Sequence, residues 1–162
     1  MSQAWEKLIE TEDGALTDCL SLARVSIDRK TGNLTVRFHA TRLLSRAEYK
    51  LIASRIAGAF PMVKANTKVS YPALRDRVIQ DLTVASGLLK ELVRHESPAS
   101  MPFIDWNLRD WKLSDDRLTV CVSSAEGQAF LKARGTDRLL ERLMDELFSI
   151  HCAAEVRITG DD

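Results

Sequence analysis

The stretch ARVSIDRKTGNLTVRFHA, residues 23–40, decides the fold. Ala23, Val25 and Ile27 alternate with Arg24, Ser26 and Asp28. Beyond the turn Asp28–Asn33, Leu34, Val36, Phe38 and Ala40 alternate with Thr35, Arg37, His39 and Thr41. Successive side chains of a strand point to opposite faces, so this period of two predicts a β-hairpin with one apolar, buried face.

Reading outward, a helix follows. Ser45 with Glu48 three residues on has the spacing of a capping box, and Leu44 with Tyr49 that of a hydrophobic staple. Tyr49, Ile52, Ala53, Ile56 and Phe60 form one apolar stripe, and Pro61 ends the helix. Val63, Ala65, Val69 and Tyr71 alternate as a third strand. A short helix over residues 2–10, broken near Gly14, precedes the hairpin. The first module, residues 1–72, therefore reads strand, strand, helix, strand.

The second module, residues 73–162, opens on a long helix over 73–95, begun by Pro72 and weakened by Gly87. Its stripe is Leu74, Val78, Leu82, Ala85, Leu89 and Leu92. The stretch Ser97–Pro102 reads as a linker or loop. Leu108, Trp111 and Leu113 lead into the turn Ser114-Asp115-Asp116, and Leu118, Val120 and Val122 alternate after it. A helix then starts near Ser124 and stops at Gly135. Thr136 caps the next helix, with Leu140, Leu143, Leu147 and Ile150 on one face. Val156 and Ile158 make a closing strand. The expected class is α+β, with strand–strand–helix–strand occurring twice.

Composition narrows the function. The 162 residues are 45% apolar and 28% charged, the profile of a globular protein. Cys19, Cys121 and Cys152 are odd in number and widely spaced, which points to a reducing compartment and away from a disulfide or zinc framework. The N-terminus lacks the basic and apolar blocks of a secretory signal, and no window approaches a membrane span. A cytoplasmic location is expected.

No cofactor or catalytic signature is present. His39, His95 and His151 are scattered, and no H-E-x-x-H, P-loop, nucleophile elbow or G-x-G-x-x-G occurs. The pair Asp115-Asp116 falls in a hairpin turn, where Asp is favoured by its own backbone hydrogen bonds. Asp161-Asp162 reads as a solvated tail. Trp106 and Trp111, with Met101 and Phe103 nearby, read as packing between modules or as a docking patch.

The sharper signal is charge. Formal net charge is zero, yet residues 22–80 hold twelve basic and three acidic side chains, a net of +9. Strand parity places Arg24, Arg37, His39, Lys64 and Lys68 on the polar face of the first sheet, beside Ser26, Thr35 and Asn66. Arg46, Lys50 and Arg55 add charge on the helix. Such a surface neutralises phosphates, steers an acidic protein partner, or is merely solvated. The face offers no aromatic residue for base stacking, which places a protein partner ahead of single-stranded nucleic acid.

The order αββααβ is similar to the type II KH fold, whose members clamp a nucleic-acid backbone with a GXXG loop between two helices. Here the junction reads Leu131-Lys-Ala-Arg-Gly-Thr-Asp-Arg138, so only Gly135 is present and the loop is degenerate. The chain as a whole resembles the N-terminal region of PolC-type DNA polymerase III, the replicative alpha subunit of low-GC Gram-positive bacteria. Residues 21–60 (SLARVSIDRKTGNLTVRFHATRLLSRAEYKLIASRIAGAF), 71–92 (YPALRDRVIQDLTVASGLLKEL) and 115–148 (DDRLTVCVSSAEGQAFLKARGTDRLLERLMDELF) carry the resemblance. It implies an interaction region ahead of the exonuclease and polymerase domains of a longer parent. The family's first module resembles the polymerase-binding domain of the clamp-loader tau subunit, which implies a contact with replisome proteins.

The purified chain is expected to show neither primer extension nor 3′-end degradation with magnesium or manganese. Activity that survives rigorous purification, and disappears on changing one acidic residue, contradicts this reading.

Overall fold

A computed structural model describes residues 2–10 and 14–159. The chain is α+β and divides into two compact units, residues 1–73 and 74–162. The tail pair Asp161-Asp162 lies outside the described residues.

The first unit comprises α1 (Ser2–Ile9), β1 (Leu20–Ile27), β2 (Leu34–Ala40), α2 (Arg46–Ala59) and β3 (Ala65–Ser70). Its sheet has the order β1-β2-β3. The hairpin β1–β2 is antiparallel, and α2 is the crossover that returns the chain for β3 to run parallel to β2. Leu34, Val36, Phe38 and Ala40 are buried on β2, with Ile52 and Ile56 of α2 and Val69 of β3 in the same core.

The expectation for β1 needs correction. Val25 and Ile27 are 42% and 67% exposed, and Ala23 is exposed as well. The ladder slips between Leu22, opposite Phe38, and Arg24, opposite Arg37, so Ala23 is the extra residue of a β-bulge. Leu20 and Leu22 before the bulge therefore share a face with Val25 and Ile27 after it, and only the first part of that face is covered.

The helix start is as the sequence predicts. Ser45 Oγ accepts from Glu48 N–H at 3.1 Å, and Glu48 Oε1 accepts from Ser45 N–H at 2.9 Å. Arg42 donates to both carboxylate oxygens of Glu48, at 2.9 and 2.7 Å, and to the Ala15 carbonyl at 3.3 Å. The Arg42 hydrogen bond and then the Ser45 N–H hold the Glu48 carboxyl far below its ordinary value, at about 2. On the stripe, Ile52 and Ile56 are fully buried. Tyr49 instead stays 40% exposed and donates its hydroxyl to the Thr67 carbonyl of β3 at 2.5 Å.

The second unit holds α3 (Arg75–Gln80), α4 (Ser86–Glu96), β4 (Lys112–Ser114), β5 (Arg117–Val122), α5 (Ala125–Arg134), α6 (Thr136–Phe148) and β6 (Ala153–Ile158). Its sheet, β4-β5-β6, repeats the first: an antiparallel hairpin, then a parallel third strand. The single helix expected over 73–95 is broken. Asp81 is extended (φ −150°), its carboxylate caps Thr83 N–H at 3.0 Å, and a 3-10 turn over Leu82–Ala85 separates α3 from α4. A short acidic side chain that bonds its own backbone competes with helix continuation, and the β-branched pair Thr83-Val84 favours the break.

The expected linker is a further correction. Pro98–Phe103 forms a 3-10 helix with Ser100 fully buried. Ser100 shares hydroxyl bonds with Ser97 at 2.7 Å and Thr136 at 2.9 Å. Thr136 is thus a buried helix residue; Gly135, at φ +72°, is the residue that ends α5 and precedes α6. On α6, Leu140, Leu143 and Leu147 are buried, as is Ile150 just past its end.

Glu48 gives a pH test. Its folded value is depressed, so its stabilisation is fully present above about 4.5 and is lost as pH falls towards about 2. Glu48→Gln is expected to cost about 1 kcal/mol at neutral pH, a figure that allows for partial exposure. The difference from the parent in urea midpoint should shrink as pH falls from 5 to 2. A pH-independent difference contradicts the assignment.

Candidate interaction surface

The bulge fixes which side chains share the open face of the first sheet. Arg24 lies opposite Arg37 on β2, and Arg37 opposite Lys68 on β3. Three cations therefore form one row across three strands. Ser21, His39 and Ser70 form the row on one side of it, and Ser26, Thr35 and Asn66 the row on the other. Arg37 donates to Ser70 Oγ at 2.6 Å. Among the described residues, none of Arg24, Arg37 and Lys68 has an acidic partner within ion-pair distance.

The other predicted site residues divide. Lys64 is exposed one residue ahead of β3, and its carbonyl accepts from Leu34 N–H at 2.9 Å. Arg46 and Lys50 are exposed one helical turn apart on α2. Arg55 is used internally: it donates to the carbonyls of Leu8 (3.2 Å) and Glu10, where a cation meets the negative end of α1. The structure thus brings Arg24, Arg37 and Lys68 together, leaves Lys64 outside their row, ahead of β3, and withdraws Arg55.

The second sheet offers a contrast. Its open face carries Lys112, Arg117 and Arg157, interleaved with Glu155; Arg117 lies 3.8 Å from Glu155. A shallow depression there is lined by Lys112, Ser114, Asp115, Arg117 and Thr119. One carboxylate stands among the three cations of this sheet, and none stands in the cationic row of the first.

Groups able to do chemistry are dispersed or quenched. Burial pushes the thiols of Cys19 and Cys121 up, and that of Cys152 to about 11, away from thiolate reactivity. His39, His95 and His151 are exposed in separate elements, His151 beside Asp145 at 3.1 Å. Asp115 and Asp116, at φ 51° and 64°, are the central residues of the β4–β5 hairpin, whose turn needs both in the left-handed region. Among the described residues, no three of His, Cys, Asp and Glu gather as metal ligands, and no helix is long and apolar enough to cross a membrane.

The aromatic cluster is internal to the second unit. Trp106 and Trp111 pack at 5.9 Å between ring centres and donate their indole N–H groups to the carbonyls of Met101 (3.2 Å) and Asp105 (2.8 Å). Phe103 packs on Phe130 at 4.8 Å, and Arg134 lies over the Phe130 ring at 5.2 Å.

Like charges directly opposed across a sheet repel. Lys68→Glu should therefore stabilise the first unit by about 0.2–1 kcal/mol, read as a raised urea midpoint at low salt. A lower midpoint means the row is compensated after all. No family model, curated protein or solved structure matches this chain.

Proposed function

We propose that this chain is a non-catalytic, cytoplasmic interaction domain from the N-terminal region of a PolC-type DNA polymerase III, and that it contacts replisome proteins during DNA replication. The observation that carries the reading is the row Arg24–Arg37–Lys68: three adjacent cations, unpaired among the described residues, on the open face of a sheet. Such a row costs self-repulsion in the free domain and is relieved by an acidic surface. The absence of a Phe, Tyr or Trp side chain from that face favours a protein over a single strand of nucleic acid. The clamp-loader tau subunit is the partner the sequence resemblance suggests.

A second reading, a KH-like nucleic-acid module, draws on the element order of the second unit and on the positive φ of Gly135 between its two helices. Against it stand the missing second glycine and Asp137 between Arg134 and Arg138.

Association of the chain with the tau subunit, followed across a salt series by surface-based kinetics, tests the proposal. Changing Arg37, Lys64 and Lys68 together to Glu is expected to leave the fold intact and to lower affinity at low salt at least about tenfold, chiefly through the on-rate. Oligothymidylate should bind poorly and be little affected. Tight oligonucleotide binding that the triple change weakens favours the KH-like reading. Equal tau binding by both proteins overturns the proposal.

A further inference from the structure

Sheets end in unpaired main-chain groups, and the edge strands here are treated differently. On β3, Tyr49 of α2 donates to the Thr67 carbonyl at 2.5 Å. On β6, Glu141 accepts from Ala154 N–H at 2.8 Å and Gln128 donates to the Val156 carbonyl at 2.8 Å. The edge strand β4 is three residues long. Each of these is a recognised way of protecting an edge. Strand β1 has eight residues; its one such device, the bulge at Ala23, leaves Arg24–Ile27 in regular register with β2, and all from Ala23 to Ile27 are exposed.

The hydrogen-bond pattern says which groups of β1 are open. Leu34 N–H donates to the Lys64 carbonyl just ahead of β3, on the side away from β1, so the Ile27–Leu34 pair is one that exchanges no main-chain bonds. The N–H and C=O of Ile27, and by the same alternation those of Val25, point away from β2. The side chains of Val25 and Ile27 project onto one face and are exposed; Arg24, beside Arg37 and Lys68, projects onto the other.

We propose that the edge of β1 at Val25–Ile27 receives an extended segment of another protein in which acidic and apolar residues alternate. Main-chain bonds to Val25 and Ile27 would add it as a fourth strand. Its apolar side chains would lie beside Val25 and Ile27, and its carboxylates would extend the cationic row. A second copy of this chain fits less well, because two-fold pairing of β1 edges merges two uncompensated cationic faces. The proposal deepens the interaction-domain reading and rests on it in taking the partner to be protein.

The probe is a short acetylated peptide alternating Glu with Val, titrated into the full chain and followed by amide chemical shifts. Controls are a peptide of the same composition with its Glu and Val in blocks, and one alternating Lys with Val. The alternating Glu peptide should shift and protect the amides of Val25 and Ile27, and the controls should not. Val25→Pro, tolerated on an edge whose N–H faces solvent, should weaken binding at least about tenfold. Lys68→Glu should weaken it less and flatten its salt dependence, and needs no backbone change. Equal binding of alternating and block peptides, shifts confined to another surface, or tighter binding of oligothymidylate at this face overturns the strand site. Tau binding that survives Val25→Pro yet is lost in Lys68→Glu leaves the interaction-domain reading standing and removes the strand site.

Discussion

Ala23 is one residue more than the β1–β2 ladder can hold, and the first unit is organised around where that residue goes. Without the bulge, the faces of β1 would exchange between Leu22 and Arg24. Leu20 and Leu22 could not then share the core face with Val25 and Ile27, and Arg24 would leave the side of the sheet that holds Arg37 and Lys68. A single extra backbone position thus keeps the apolar side chains in phase and completes a row of three cations. Bulges at an edge also increase local twist, and the half of β1 that follows the bulge still pairs with β2. That half is the exposed part of the strand.

The two units share a sheet plan and differ in how they manage their surfaces. In both, an antiparallel hairpin is followed by a helical crossover and a parallel strand. The helices of both units also send a polar side chain to the far edge: Tyr49 in the first, Gln128 and Glu141 in the second. The second unit mixes acid with base on its open face and has a short first strand. The first unit does neither. Its basic face and open edge meet in β1, where Arg24 precedes Val25.

Much of this was legible. Alternation fixed β2, the Ser45–Glu48 spacing fixed the start of α2, and the parity argument placed Arg37 and Lys68 on one face. The bulge had a signal too: apolar residues at 20 and 22 followed by 25 and 27 cannot lie on one face of an uninterrupted strand. Starting the strand at Ala23 concealed it. Other features leave no local trace. Arg55 looks like any helix-surface cation, and only the approach of α1 shows that its guanidinium is occupied by carbonyls. Asp81 falls between Val78 and Leu82 of an otherwise continuous apolar stripe, and there its competition for the backbone outweighed the period. Ser97–Pro102 had the composition of a linker but buries Ser100 through hydroxyl bonds that depend on Thr136, far away in sequence.

The central claim is that the first unit presents an unbalanced cationic face to an acidic protein. Hydrogen–deuterium exchange of the chain, with and without the clamp-loader tau subunit at low salt, addresses it directly. The account predicts slowed exchange at residues 24–27, 35–39 and 66–68, with the second unit unchanged. Protection confined to the Arg134–Arg138 junction, or none anywhere at saturating partner, would contradict it.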